Sequence, residues 1–199
     1  MCLFIETICY DQGCFQRIGL HNERFNRTRK QFFGLQTPLQ LELLLSVPED
    51  LKNETIKCSV TYGPDILNIK YDTYSVRFVN SLQLVSDDTI DYSYKYANRA
   101  LIDSLFKSRG QSDDILIVKN GFITDTSYAN IVFKKNDKWY SPQNPLLKGT
   151  RIESYFREGR VTPALLQPEN LHQFSEARIV NAMISIENSP VIPIGNLKY

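Results

Sequence analysis

The sequence carries almost no surplus of charge: across 199 residues, 23 lysines and arginines face 22 aspartates and glutamates. No overall field therefore draws the chain to nucleic acid or to an anionic membrane. Cysteine and histidine are scarce. Cys2, Cys9 and Cys14 crowd the N-terminus, Cys58 stands alone, and no Cys-x-x-Cys pair occurs. That pattern is neither a disulfide framework nor a zinc set, and free thiols suit a reducing compartment. His21 and His172 are isolated from each other, so no metal-ligand spacing and no Ser/His/Asp arrangement suggests itself. No apolar run reaches the length of a membrane span. The opening "MCLFIETICY" lacks a basic leader and is interrupted by Glu6, so it reads as a strand and not as a signal peptide. These absences leave a cytoplasmic globular chain, with neither a nucleic-acid nor a membrane partner, as the expectation.

What is present is an ordered alternation of strands and helices. Hydrophobic residues make up 42% of the chain, enough to core one large domain or two small ones. "LFIETICY" and "CFQRIGL", joined by Asp11-Gln12-Gly13, predict a hairpin. "HNERFNRTRKQFF" predicts a helix stopped by Gly34, and Thr37-Pro38 predicts a second helix over "LQLELLLSV", closed by Pro48. The basic cluster within residues 21–30 reads as the wet face of the first helix. "TIKCSVTYG" and "ILNIKYDTYSVRFV" alternate as strands and complete a small α/β domain, residues 1–77.

The larger domain, residues 78–199, opens with the strand "SLQLV" and the helix "ANRALIDSLFKSRG". Short apolar strands follow, joined by Asn120-Gly121 and Asn136-Asp137, the residues that hairpin turns require. A helix after Gly149, a short one near residue 170 and Pro/Gly-rich edge strands end the chain. The class is α/β (α+β), with mostly antiparallel sheets in the second domain.

Within "IDYSYKYANRALIDSLF", Lys95 is flanked by Tyr92, Tyr94 and Tyr96. Rings that shield an amine from water favour its neutral, nucleophilic form. The competing reading is ordinary ring packing, with the lysine reaching to solvent.

Five motifs in order carry a resemblance: "H-x-E-R-F", "K-x-x-N-R", "G-F-I-T-D-x-S-x-x-N-I-V-F", "L-x-G-T-R" and "V-N-A-M…PV-x-P-I-G". Taken with the "FIET" strand, they resemble the class IV (fold type IV) pyridoxal 5'-phosphate enzymes over nearly the whole chain. That family holds 4-amino-4-deoxychorismate lyases and the D-amino-acid and branched-chain aminotransferases, and the chain is most similar to the lyases. The resemblance implies two domains with the cofactor in the cleft between them, a homodimer and a small-molecule substrate. The reaction it implies is lysis of 4-amino-4-deoxychorismate to 4-aminobenzoate and pyruvate for folate synthesis. The alternatives are a class IV aminotransferase and a cofactor-binding protein without turnover.

The same resemblance assigns roles. Lys95 becomes the Schiff-base lysine, with Arg99 as a nearby cation that would lower its pKa. Asp125 takes the place of the family's glutamate at the pyridine nitrogen, one methylene shorter. Arg24 corresponds to the phosphate-reaching arginine of the first domain, and Gly149, Thr150, Asn181 and Ala182 to the phosphate side of the pocket. Arg77, Arg99 and Arg151 are candidates for the substrate carboxylate. Read without the family, Asp125 is a turn cap, the Gly149-Thr150 pair an ordinary helix start and Ala182 a strand interior. Asn130 reads as packing or a buried hydrogen bond, and His21 as an orienting residue. Tyr62 stands about where relatives carry a loop arginine. The short start and trimmed loop imply a reduced substrate entrance.

Overall fold

The computed structural model describes residues 2–199. By its contacts the chain divides into two units: one runs up to Ser75 and includes Tyr94–Asn98, the other comprises Val76–Ser93 and Arg99–Tyr199. Residues 94–98, which hold Lys95, thus group with the N-terminal unit although they lie well past its main segment.

The first unit is a four-stranded antiparallel sheet with one long helix. Strands β1 (Phe4–Asp11), β2 (Cys14–Phe15), β3 (Ile56–Tyr62) and β4 (Ile66–Thr73) lie in the order β2-β1-β3-β4. The β1–β2 hairpin turns through Gln12 and Gly13, both at positive φ (51° and 79°), as the Asp-Gln-Gly sequence predicts. Helix α1 (Ile18–Phe33) begins one turn earlier than expected and ends at Gly34, whose φ of 68° is the left-handed cap conformation that glycine adopts without steric cost. Its buried residues, His21, Arg24, Phe25, Thr28 and Arg29, recur at helical spacing. Half of the basic cluster is therefore interior: only Glu23, Arg27 and Lys30 of that stretch are exposed, which overturns its reading as a solvated face.

The second helix expected over "LQLELLLSV" does not form; a single 3-10 turn at Leu41–Leu43 stands there. The cause lies in α1. Asn26 donates its side-chain amide to the Leu39 carbonyl (2.8 Å) and accepts from the Leu39 N–H (2.9 Å), while Asn22 accepts from the Leu41 N–H (2.9 Å). The Leu39 carbonyl is thereby taken from a helix ladder, and the segment is tied to α1 by its backbone. Leu41 and Leu45 still bury into the core with Phe4, Ile8, Phe25, Cys58, Val60 and Tyr62.

The second unit is a nine-stranded mixed sheet. Strand β5 (Leu82–Ser86), helix α2 (Ala100–Lys107) and β6 (Asp114–Lys119) make a parallel crossover. A meander of β7 (Phe122–Thr126), β8 (Asn130–Lys135) and β9 (Lys138–Pro142) follows. Its turns are Asn120-Gly121 (φ 51° and 77°) and Asn136-Asp137 (φ 49° and 59°), the doubly positive pattern of type I′ turns. After α3 (Thr150–Arg157), β10 (Val161–Ala164) pairs parallel with β9, and β11 (Glu176–Val180) pairs antiparallel with β8. Short strands β12 (Ile192–Pro193) and β13 (Leu197–Lys198) close the edges. Antiparallel pairs predominate, as expected. Among the described residues, no helix is long and apolar enough to cross a membrane.

Candidate active site

In the second unit, three motif segments distant in sequence converge on one buried polar network. Asp125, near the end of β7, pairs across the sheet with Asn130, the first residue of β8. The Asn130 amide donates to Asp125 Oδ1 (2.7 Å) and to the Leu147 carbonyl (2.8 Å), and the Leu147 N–H returns a bond to Asp125 Oδ2 (2.9 Å). Both side chains are buried. Two residues on, Gly149 precedes α3, and a Cβ there would stand 2.3 Å from Asn130 Oδ1. Any larger residue at this point would push the asparagine side chain aside, because that side chain lies against the glycine backbone.

Helix α3 then starts at the buried Thr150, with the Glu153 N–H bonded to the Gly149 carbonyl (3.0 Å). From the first turn of α3, Arg151 reaches the third segment, donating to the carbonyls of Asn181 (2.7 Å) and Ala182 (3.0 Å). Asn181 Oδ1 in turn accepts from the N–H groups of Met183 (2.8 Å) and Ile184 (3.0 Å) and so shapes that turn. Asp125, Gly149, Thr150, Arg151, Asn181 and Ala182 are thus brought together by side-chain links. Arg151 spends two of its nitrogens on this brace, which sets it apart from the other candidate substrate arginines.

The donor set fits the cofactor that the resemblance implies. A buried carboxylate held in place by Asn130 and Leu147 suits a pyridinium nitrogen, with which it can pair by charge. A helix start with a threonine at its first position, linked through Arg151 to the small Ala182, suits a phosphate.

In the first unit, Lys95 lies half-buried on a short extended segment beside β1. Its carbonyl accepts from the Ile5 N–H (2.9 Å), and the Ala97 N–H donates to the Leu3 carbonyl (2.8 Å). The tyrosines around it divide. Tyr94 and Tyr96 pack with Phe4 and Phe32, with ring centroids 4.8 Å apart for Phe32–Tyr94 and 5.3 Å for Phe4–Tyr96. Tyr92 belongs to the other unit, where the Arg99 guanidinium lies over its ring at 6.0 Å. Ring packing therefore accounts for Tyr94 and Tyr96.

The first unit also holds a buried ionic triad that the sequence did not announce. Glu6, on the inward face of β1, is fully buried; it accepts from His21 Nδ1 (2.6 Å) and takes both Nε (2.8 Å) and Nη2 (2.6 Å) of Arg24. Burial alone would raise the Glu6 carboxyl, but the Arg24 charge and hydrogen bonds, followed by those of His21, outweigh it and hold it at about 2. Burial lowers His21, against the opposing bond to Glu6, and so favours the neutral imidazole. The signal for this triad was the acidic residue at an inward position of an otherwise apolar strand. Tyr62 stands in the core against Phe25, centroids 4.6 Å apart, and burial pushes its hydroxyl up.

Arg77 and Arg99 flank the Ser127–Tyr128 turn of the second unit. Arg77 donates to the Asp113 carbonyl, lies 3.7 Å from Asp114 and covers the rings of Phe106 and Tyr128 at 5.5 and 5.2 Å. Arg99 donates to the Ser127 carbonyl (2.7 Å). Burial pushes the Asp114 carboxyl up, partly offset by Ser127 and Arg77. His172 only caps its own turn through the Glu169 carbonyl (2.7 Å). Among the described residues, no group of His, Cys, Asp and Glu is placed to hold a metal ion.

Comparison with known proteins gives three findings. Residues 93–191 match the family described as amino-transferase class IV. An uncharacterized protein of Haemophilus influenzae is 37% identical over 180 residues, covering 89% of this chain and 96% of its own. Among solved structures, a candidate 4-amino-4-deoxychorismate lyase of Haemophilus somnus superimposes with a TM-score of 0.85 at 28% identity, covering 92% of this chain and 97% of that one. A candidate amino-acid aminotransferase of Mesorhizobium loti superimposes at 0.78 with 18% identity, over 100% of this chain and 99% of its own, a likeness of fold.

Proposed function

Because this chain belongs to the amino-transferase class IV family of enzymes, we propose that it is a pyridoxal-phosphate-dependent lyase converting 4-amino-4-deoxychorismate to 4-aminobenzoate and pyruvate. The observation that carries the cofactor assignment is the network that ties the Asp125 carboxylate to the Gly149–Thr150 helix start. The lyase branch is supported by the likeness to the Haemophilus somnus chain.

In this reading the cofactor supplies the electron sink for the carbon bearing the substrate amine. Asp125 would hold a proton on the pyridine nitrogen, its position kept by Asn130 and Leu147. Gly149 and Thr150, with Asn181 and Ala182, would receive the phosphate, and Arg24 would reach it from the first domain with its guanidinium held by Glu6. The Lys95 amine would anchor the cofactor and take the proton from the amine-bearing ring carbon of the substrate. Loss of the enolpyruvyl oxygen from the adjacent carbon then makes the ring aromatic, and proton return to the departing group yields pyruvate. Arg77 and Arg99 remain as carboxylate partners, whereas Arg151 acts by bracing the Asn181–Ala182 turn.

The family description itself favours a second reading, transamination of a D- or branched-chain amino acid. Purified protein loaded with pyridoxal phosphate should turn yellow, and borohydride reduction should fix the label on Lys95; a colourless, unlabelled protein overturns the cofactor assignment. Release of pyruvate from 4-amino-4-deoxychorismate without added oxo-acid supports the lyase. Turnover only in the presence of an oxo-acid overturns it in favour of the aminotransferase, and bound cofactor without either activity denotes a binder.

A further inference from the structure

We propose that Asn130 is a positioning residue that sets the distance between the two ends of the cofactor seat in the second unit; the proposal rests on the cofactor reading above. One planar amide does three things at once. Its nitrogen donates to Asp125 Oδ1 at 2.7 Å and to the Leu147 carbonyl at 2.8 Å. Its oxygen lies where a Cβ on Gly149 would come within 2.3 Å. The Leu147 N–H closes the ring of contacts on Asp125 Oδ2 at 2.9 Å. The carboxylate that would meet the pyridine nitrogen and the turn that would open toward the phosphate are thereby cross-linked through a single buried side chain. A side chain that only filled space would need neither hydrogen bond, and would not lie so close to the Gly149 backbone.

This arrangement also accounts for the aspartate at position 125. A shorter carboxylate sits closer to its own strand, and Asn130 with Leu147 fixes both of its oxygens there. The register of the seat is then carried by the asparagine–glycine contact and not by the length of the acidic side chain.

The test uses the full chain loaded with pyridoxal phosphate, with two readouts at opposite ends of the cofactor: the visible absorption band for the ring and the phosphorus-31 resonance for the phosphate. Asn130→Ala should weaken cofactor retention by roughly tenfold to a hundredfold, the loss expected for a hydrogen bond to a charged group, and should move both signals. Asn130→Ser, which keeps a hydroxyl donor, should recover part of each. Gly149→Ala should displace Asn130 and reproduce the double shift in the wild-type background. It should add little in the Asn130→Ala background, where the clashing oxygen is gone. A purely structural asparagine would lower the unfolding midpoint of the cofactor-free protein and leave both signals in place, which overturns the proposal while the cofactor reading stands. If Asn130→Ala does not fold, the Gly149→Ala result decides in the same way. Wild-type protein that binds no pyridoxal phosphate overturns the reading and this inference with it.

Discussion

Replacing Glu6 by glutamine tests whether the first unit depends on its buried triad. The substitution keeps the volume of the side chain and removes its charge. Arg24 is 7% exposed in its side chain and gives two nitrogens to this one carboxylate, so the variant removes the charge that these two hydrogen bonds meet. Breaking a buried pair from one side costs about 3–5 kcal/mol. The lowered carboxyl leads to a cost of the same order. Glu6 is lowered from 4.5 to about 2, a difference worth about 3 kcal/mol in favour of the folded state. Because the folded value is the lower one, this stabilisation is complete above the unfolded value of 4.5 and is lost as pH falls toward 2. His21 is lowered from 6.5, so it too withdraws stability as pH falls, beginning at a higher pH than Glu6.

The assay is denaturant unfolding of wild type and Glu6→Gln across a pH series. Trp139 lies in the other unit, so its fluorescence would follow the wrong structure. Far-ultraviolet circular dichroism, to which the sixteen-residue α1 contributes, is the appropriate signal. The wild-type advantage should be several kcal/mol near neutral pH and should shrink between about pH 4.5 and pH 2 as the carboxylate gains its proton. A loss below about 1 kcal/mol at neutral pH would refute the reasoning, as would a loss that is the same at about pH 3.

Two further substitutions address the second unit. Arg151→Ala should cost about 1–3 kcal/mol by leaving the Asn181 and Ala182 carbonyls without their charged donor, and should weaken retention of pyridoxal phosphate; Trp139 fluorescence on urea unfolding and cofactor titration would read the two effects. Asp125→Glu, which restores the family's longer acid, should destabilise by about 1–3 kcal/mol, because the extra methylene enters a site where both carboxylate oxygens are already fixed. Unchanged unfolding together with tighter cofactor binding in that variant would show that the shorter side chain is not built into the seat.

What could be read from the sequence was whatever depended on a residue's own backbone or on its near neighbours. Asn120-Gly121 and Asn136-Asp137 named their turns because few other residues tolerate positive φ in succession. Gly34 named the end of α1 for the same reason. The stretch after Thr37 was misread as a helix because its periodicity is local, whereas Asn22 and Asn26 claim its backbone from the helix before it. Glu6 was visible as an interruption, but its purpose needed His21 and Arg24, 15 and 18 residues away.

The same division runs through the candidate site. Motif order picked out Asp125, Gly149, Thr150, Asn181 and Ala182, and the fold links them, yet the links pass through residues that were set aside or assigned elsewhere. Asn130 reads from the sequence as packing or a buried hydrogen bond; the hydrogen bonds are there, but nothing near it in sequence discloses that Gly149 lies against its oxygen. Arg151 ranks with Arg99 by motif position and with Arg77 by residue type alone, since Arg77 is a candidate only by its place near the domain junction. Only the partners separate them: Arg151 holds two backbone carbonyls of one turn, while Arg77 lies over two rings and beside a buried aspartate. Side-chain type says what a group can bond to, and the competition for its donors decides what it is left to do. For an arginine with five N–H groups, that competition turns the same residue into either a structural brace or a ligand contact.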